Sequence, residues 1–138
     1  MSALKITILG CGSSFGVPLF HNIWGKCDPN EPKNRRTRPS ILVQKNGKNL
    51  LIDTSPDLKQ QFLSNKIDNI DAVFYTHEHA DHTHGINELR SINLIHGKII
   101  PCYGNEQTMG KISNSFNYLF KNTEKSYYPA ILSNNLYS

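Results

Sequence analysis

The sequence has few cysteines, and their arrangement argues against a disulfide-stabilised fold. Only Cys11, Cys27 and Cys102 occur among the 138 residues, an odd number at wide spacings. Small secreted domains that depend on disulfides carry more cysteines, in even number and at closer intervals. We therefore expect free thiols and a reducing compartment, the cytoplasm.

Long apolar runs are also missing from the sequence. A helix that crosses a bilayer needs about 20 consecutive apolar residues, and no run approaches that length. The N-terminal residues MSALKITILGCG lack the longer apolar core and the cleavage site of a signal peptide. With 38% apolar and 19% charged residues, the composition is that of a globular domain without a membrane partner. The length predicts a single domain over residues 1–138.

Positive charge is concentrated in one part of the chain. The formal net charge is +4, and residues 26–48 alone carry seven Lys or Arg against two Asp or Glu. This segment is either a solvated loop or a surface that binds an anion such as a phosphate ester or RNA. In the second case Arg35, Arg36 and Arg38 are the candidate substrate-binding residues, because guanidinium groups bind phosphodiesters bidentately.

Local sequence patterns predict a layered α/β arrangement. Strands are expected over residues 4–9, 40–44, 49–53, 70–75 and 98–103, with Asn46-Gly47 as the tight turn between the second and third. Helices are expected over residues 56–65, from about residue 81 to residue 95, and over 107–120. Pro101 predicts a position at an edge or at an end for the fifth strand. A further strand is expected to start within residues 126–132.

The segment THEHADHTHG, residues 76–85, carries the most chemical information. His77, His79, Asp81 and His82 are of the types that bind a borderline-soft divalent metal. In extended backbone, residues two apart point to the same side, so His77 and His79 can reach one ion together. Asp81 and His82 lie where the chain turns into a helix and can serve a second ion. Two ions about 3.5–4 Å apart support hydrolysis. The alternative is a polar loop in which Asp81 caps the helix.

The remaining candidate residues, including one within that segment, are expected to be ordinary. The glycines at positions 10, 12 and 16 form a pattern too weak to indicate a phosphate-binding loop, so a structural turn is favoured. His21, His84 and His96 are expected to be ordinary residues without a ligand role, and Cys27 an inert thiol.

With these residues the chain resembles the metallo-β-lactamase fold hydrolases. Their signature HxHxDHxxG is matched at every position, ending at Gly85. The segment LLIDTSPDLKQQ is similar to the strand that carries the supporting aspartate of that family, here Asp53, and ILGCGSSFGVP is similar to its first strand and glycine turn. The segment WGKCDPNEPKNRRTRPSILV resembles the subgroup that includes phosphoribosyl cyclic phosphodiesterase.

The resemblance implies an α/β fold that corresponds to the N-terminal half of an αββα sandwich. It implies that His77 and His79 bind a first ion, and that Asp81 and His82 bind a second ion. It also implies that Asp81 is catalytic by orienting the attacking water, and that Asp53 accepts a hydrogen bond from a ligand imidazole. The expected cofactor is a divalent metal, with up to two ions, zinc being favoured over manganese.

The family site also requires ligands that come later in the chain, and the sequence lacks them. No Asp follows Asp81, and only His84 and His96 follow His82. We therefore expect a truncated domain that hydrolyses a small phosphodiester or nucleotide-like substrate weakly or not at all by itself. A second copy of the chain or a separate C-terminal half would complete the site and cover apolar sheet surface. The alternatives are a vestigial metal-binding fragment and a basic nucleic-acid-binding module that uses residues 26–48.

Overall fold

The computed structural model describes residues 2–122 and 129–137. In these ranges the expected α/β arrangement is confirmed as one sheet with helices against it. The strands are β1 (Lys5–Gly10), β2 (Ser40–Lys45), β3 (Lys48–Ile52), β4 (Ala72–Phe74), β5 (Ile100–Gly104) and β6 (Leu132–Leu136). The α-helices are α1 (Leu58–Asn65), α2 (Ala80–Thr83), α3 (Leu89–His96), α4 (Glu106–Ser115) and α5 (Asn117–Phe120). None of these helices is long and apolar enough to cross a membrane.

The strands lie in the sheet in the same order as in the chain. The pairs β1–β2 and β2–β3 are antiparallel, whereas β3–β4, β4–β5 and β5–β6 are parallel. The hairpin turn between β2 and β3 is confirmed, since Asn46 and Gly47 have φ of 51° and 73°, as a tight hairpin turn requires. Consequently β1, β3, β4, β5 and β6 all end at one edge of the sheet.

Two helix predictions need correction at their boundaries. The first helix begins at Leu58 rather than at residue 56, because the Ser55 hydroxyl accepts the backbone hydrogen bond of Asp57 and holds a turn there. The helix expected from about residue 81 to residue 95 is interrupted around Gly85. There the amide of Gly85 donates to the carbonyl of Thr54 at 3.0 Å, and the amide of Thr54 donates to the carbonyl of His82 at 2.9 Å. These two bonds tie the interruption to the chain that follows β3.

The C-terminal predictions also differ from the structure. The helix expected over 107–120 is divided at Phe116, whose φ and ψ of −117° and 41° are not helical. Of the two positions predicted from Pro101, the edge of the sheet is wrong, because β5 pairs with β4 and β6. The proline lies near an end of the strand, as the second residue of β5. The β4–β5 ladder starts at Cys102, one residue after Pro101, so the missing N–H of the proline removes none of its bonds. The last strand begins at Leu132, and residues 123–128 of its expected start lie outside the described residues.

The hydrophobic core lies between the helices and one face of the sheet. Leu42, Leu51, Val73, Ile100 and Cys102 point to this face and are at most 2% exposed. They pack in one cluster with helical side chains from α1, α3, α4 and α5. Burial raises the pKa of the Cys102 thiol to about 12, so this cysteine is a core residue.

The opposite face of the sheet is apolar and uncovered. The pairing registers place on it apolar side chains that are half-buried or exposed: Ile6, Ile8, Ile41, Val43, Leu50, Ile52, Phe74 and Tyr103. Ile6 and Ile8 are 59% and 65% exposed. One aromatic ring, that of Tyr137, lies on Phe74 with 5.3 Å between the ring centroids. We call this surface the open face.

Candidate metal centre

The residues of the HxHxDH segment lie at the edge of the sheet where β3 and β4 end. Because these two strands are parallel, the residues that follow them meet at the same edge. Asp53 comes directly after β3, and Thr76 to His79 come between β4 and α2. The fold therefore joins two segments that are more than twenty residues apart in the sequence.

Three imidazole rings of the segment form a compact cluster. The ring centroid of His77 lies 4.7 Å from that of His79 and 4.1 Å from that of His82. A carboxylate oxygen of Asp81 lies 3.2 Å from Nε2 of His82. The four side chains that were predicted to converge are thus neighbours, and His77 stands between the two other imidazoles.

The carboxylate of Asp53 lies behind the cluster and holds it through three hydrogen bonds. It accepts from the backbone N–H of Thr76 at 2.8 Å, from the Thr76 hydroxyl at 2.6 Å and from Nδ1 of His82 at 2.7 Å. Asp53 is only 4% exposed and has a φ of 60°, a left-handed conformation that residues other than glycine rarely adopt. The three bonds compensate for this unfavourable backbone, as is common at functional sites.

Thr76, which the sequence analysis missed, extends this network to a second imidazole. Its hydroxyl carries one hydrogen, which it donates to Asp53, and it lies 2.9 Å from Nδ1 of His77. Toward His77 the hydroxyl can therefore only accept, so Nδ1 of His77 must carry the proton. In the sequence, the position of Thr76 directly before the first histidine of the motif could have indicated that it contacts the cluster.

The network selects the tautomer of two imidazoles. In the neutral forms of His77 and His82 the Nδ1 proton is directed to Thr76 and to Asp53, so each Nε2 presents a lone pair. Two ligands of one tetrahedral zinc ion stand about 3.3 Å apart when each lies about 2.0–2.1 Å from it. The 3.2 Å between Asp81 and Nε2 of His82 matches that separation. The chemistry of the donors therefore fits a divalent cation.

The number of donor side chains is smaller than a complete metal centre requires. In the part of the chain that the structure describes, no group of three or more His, Cys, Asp or Glu side chains is arranged to hold one ion. His84 points elsewhere, since its ring packs edge-on against Phe116 at 5.7 Å. His96 contacts the carbonyl of Asp68. The described chain thus offers pairs of donors and no complete ligand set.

Buried hydroxyl groups fix the backbone under the cluster. The Thr54 hydroxyl lies 2.9 Å from the Tyr75 hydroxyl and donates to the carbonyl of Thr83. The Thr83 hydroxyl in turn donates to the carbonyl of His79 at 3.0 Å. Burial raises the pKa of Tyr75 well above its ordinary value, so the phenol stays neutral and bonds within this network.

A surface ion pair holds the outer side of the same loop. Glu78, between the two first histidines, lies 2.7 Å from Nζ of Lys111 on α4. The hydrogen bond from Lys111 lowers the pKa of Glu78 below its usual value. Glu78 is thereby directed toward α4 and away from a ligand role.

The three candidate substrate-binding arginines have three different environments. Arg38 makes a bidentate contact with Asp57, with Nε and Nη2 at 2.9 and 2.8 Å from its oxygens, and this contact lowers the pKa of Asp57. The Arg35 guanidinium lies over the ring of Trp24, 5.2 Å from its centroid. Arg36 contacts Sγ of Cys11 at 2.9 Å. The structure therefore does not gather the three guanidinium groups at one point.

Comparison with known proteins gives a consistent result. The family model described as "Beta-lactamase superfamily domain" matches residues 48–134, which include the cluster. The crystal structure of a diphosphatase from the PhnP family is 35% identical and superposes with a TM-score of 0.80 over 99% of the chain and 51% of its own length. Zinc-bound PqqB from Methylobacterium extorquens shares the fold. It is 22% identical and superposes with a TM-score of 0.68 over 96% of the chain and 46% of its own length.

Curated relatives match smaller shares of their own length. A protein named octanoyltransferase from Porphyromonas gingivalis is 36% identical over 127 residues, which are 91% of the chain and 25% of that protein. Ribonuclease Z from Methanopyrus kandleri is 34% identical over 76 residues, or 53% of the chain and 27% of that protein. The chain thus spans about a quarter of these curated relatives and about half of the two solved structures.

Proposed function

The chain belongs to the beta-lactamase superfamily domain family, and from this premise we propose that it carries the first half of the active site of a metal-dependent phosphodiesterase. The observation that supports this proposal best is the cluster of three imidazoles, in two of which, His77 and His82, Nδ1 is engaged by Thr76 and by Asp53. The names of two relatives, a diphosphatase and a ribonuclease Z, support hydrolysis of phosphate esters as the reaction class.

In this proposal the ligands act in pairs. His77 and His79 hold a first ion, and Asp81 and His82 hold a second. Asp53 lies outside the ligand set and fixes the orientation of His82 through the bond to Nδ1. Imidazole and carboxylate donors favour zinc, and manganese is the alternative because it also accepts carboxylate oxygen.

The metal and the residues of the chain would have different roles in catalysis. A bound divalent cation supplies a Lewis acid that polarises a phosphoryl oxygen and acidifies water. Asp81 would accept a hydrogen bond from the attacking water and orient it toward phosphorus. His77 and His82 would direct Nε2 toward the metal, since Nδ1 of each is engaged by Thr76 and by Asp53.

The proposed site needs a second half. Four ligands distributed over two ions leave each ion with vacant positions, and the described chain has no third donor for either. In this proposal the missing ligands come from another segment that packs against the open face, either a separate C-terminal half or a second copy. We therefore propose that the single domain of residues 1–138 is weakly active or inactive by itself.

Hydrolysis of a chromogenic phosphodiester in the presence of Zn²⁺ or Mn²⁺ tests this function. We expect slow metal-dependent turnover by the wild type that falls at least about tenfold in His79→Ala and in Asp81→Asn. The matched control is His21→Asn, an exposed imidazole without a contact to the cluster among the described hydrogen bonds and ring contacts, whose positive φ of 61° asparagine tolerates. Turnover that is equal in the site variants and the control would reject the proposal.

A vestigial metal-binding fragment is the second candidate. The small number of donors at the cluster favours it. It predicts zinc binding that depends on the histidines but no turnover with any phosphodiester. A nucleic-acid-binding module is a third reading of the basic segment, and it predicts binding that weakens steeply with salt and survives loss of His77 and His79.

A further inference from the structure

The core-facing side of the sheet ends in polar side chains at the edge opposite the candidate metal centre. Because β1 and β3 end beside that centre, they start at the opposite edge. There the pairing registers place Lys5 of β1, Gln44 of β2 and Asn49 of β3 side by side. Residues two apart along a strand point to the same side, so this row shares its face with the core residues Leu42 and Leu51. The apolar core therefore stops one row before the sheet does.

A polar cavity of about 250 Å³ lies between this row and the end of helix α1. The helix ends at Asn65, and Lys66 follows with a φ of 53°, a left-handed conformation that turns the chain away from the helix axis. Besides the row, Thr7, Asn65, Lys66 and Asp68 contribute polar groups to the lining. The volume is slightly below that of pockets for drug-sized ligands, so the cavity suits a smaller molecule.

The hydrogen bonds around the polar cavity determine which amide oxygens are free. The carbonyl of Asn69 can only accept, so Asn49 must direct its Nδ2 to it, at 2.8 Å. Oδ1 of Asn49 then accepts from Nε2 of Gln44 at 2.9 Å, which leaves Oε1 of Gln44 without a partner among the described residues. Asn65 likewise donates from Nδ2 to the carbonyl of Gln61 and keeps Oδ1 free within that part of the chain. The cavity thus offers two amide oxygens as acceptors.

The charge at the polar cavity is positive in sum. Lys5 and Lys66 form no ion pair among the described residues, and Asp68 is the one acidic side chain of the described lining. Asp71, which lies at the same edge of the sheet, is engaged by two other lysines at 3.5 and 3.6 Å. Two ammonium groups beside one carboxylate favour a ligand of net negative charge over a zwitterion such as an amino acid.

We propose that the polar cavity binds a small anion that carries hydroxyl groups. Lys5 and Lys66 bind the carboxylate or phosphate of the ligand, and the free oxygens of Gln44 and Asn65 accept hydrogen bonds from its hydroxyls. An apolar molecule would leave all four groups unpaired, and a neutral sugar would leave both lysines unpaired. The cavity lies at the opposite edge of the sheet from the histidine cluster, so this inference goes beyond the proposed function and does not depend on it.

Titration calorimetry of the full chain in EDTA tests the proposal, because EDTA removes any metal to which an anion could bind at the histidine cluster. The probes are gluconate and glucose 6-phosphate, which carry hydroxyl groups together with a carboxylate or a phosphate. Glucose lacks the charge, and acetate and inorganic phosphate supply the charge alone. We expect at least one probe to bind saturably, and about tenfold more tightly than glucose and than its own charged group alone, because both sets of contacts contribute. The probe that binds more tightly identifies the charged group.

Variants distinguish the cavity from diffuse surface charge. Lys5→Gln and Lys66→Asn should each weaken the probe about tenfold, and asparagine is chosen at position 66 because it tolerates the left-handed backbone. Gln44→Leu should weaken the probe severalfold and leave the binding of acetate or phosphate unchanged, since it removes only an acceptor for hydroxyls. The matched control is Lys45→Gln, at the same edge of the sheet but on the open face, which should bind as the wild type does.

Three results would overturn the proposal. These are no saturable binding of either probe at millimolar concentration, glucose binding as tightly as the probes, and a loss in Lys45→Gln equal to that in Lys5→Gln. Since the measurements are made without metal and at the other edge of the sheet, they leave the proposed hydrolysis untouched, and failure of hydrolysis leaves anion binding untouched.

Discussion

At the scale of single residues, the account depends on how one buried carboxylate controls two imidazoles. Asp53 acts on His82 directly and on His77 through the Thr76 hydroxyl. The sequence motif predicted the histidines and Asp81 from residue types and spacing, and Asp53 was predicted from the family resemblance. It could not reveal the left-handed backbone of Asp53 or the contact with Thr76, since both depend on how β3 and β4 are brought together.

The role of Thr76 predicts the tautomer of His77. Above the imidazole pKa, nitrogen-detected NMR should find the proton of His77 on Nδ1, and Thr76→Val should move it to Nε2 because valine cannot accept it. Thr76→Ser should behave as the wild type. The zinc affinity of Thr76→Val should fall by about tenfold or more, as for other residues that orient metal ligands.

His82 is the internal reference for that experiment. Its Nδ1 donates to Asp53 without an intermediary and should keep its proton in all three proteins. If His77 in the valine variant keeps its proton on Nδ1, the hydroxyl does not set the tautomer.

At the scale of elements, the sequence predicted the strands and the hairpin well and the helix boundaries less well. The Asn46-Gly47 turn is local chemistry, which a short stretch of sequence determines. The interruption of the helix after His82 is determined by contact with Thr54, about thirty residues earlier. Periodicity alone predicts a continuous helix through residue 85. The edge position inferred from Pro101 was wrong for a similar reason, because β6, the strand that pairs with β5 on its other side, is distant in sequence.

Gly85, the glycine of the HxHxDHxxG motif, should not tolerate a side chain. A Cβ at this position would stand 1.9 Å from the carbonyl oxygen of Ser55 and 3.0 Å from Leu58 Cβ. We expect Gly85→Ala to lower the free energy of unfolding by about 3 kcal/mol or more, because backbone must move to admit the methyl group. Urea unfolding measures the change.

Gly110 supplies the matched control. It lies within α4, and a Cβ there would meet no atom within 4 Å. Gly110→Ala should stabilise the protein by about 0.5–1 kcal/mol through helix propensity. A Gly85→Ala protein as stable as the wild type would show that the loop after His82 does not need its close approach to β3.

At the scale of the whole molecule, the chain has a complete core on one side of its sheet and an apolar open face on the other. Six strands spaced about 4.8 Å apart and five residues long give this face roughly 400 Å², which is within the range of functional apolar patches. We propose that a second layer packs on this face, because the described residues offer no complete ligand set and leave the face uncovered. The share of about half that the chain spans in the diphosphatase structure supports the same conclusion.

The open face predicts association of the chain in solution. Sedimentation equilibrium should give a weight-average mass that rises with concentration above the 15.6 kDa of one chain. The double variant Ile6→Lys/Ile8→Lys should reduce this association, because both side chains point to the open face. The control Leu94→Lys, on α3, should not reduce it. A monodisperse, cooperatively melting 15.6 kDa wild-type monomer would contradict the prediction.

The binding of a divalent cation by the histidine cluster is the claim on which the proposed reaction depends. Equilibrium dialysis against Zn²⁺, followed by elemental analysis, compares the wild type with His77→Ala/His79→Ala and with the control His21→Asn. We expect about one or more zinc ions per chain in the wild type and the control, and a large loss in the double variant. Equal zinc content in all three proteins, or none in the wild type, would contradict it.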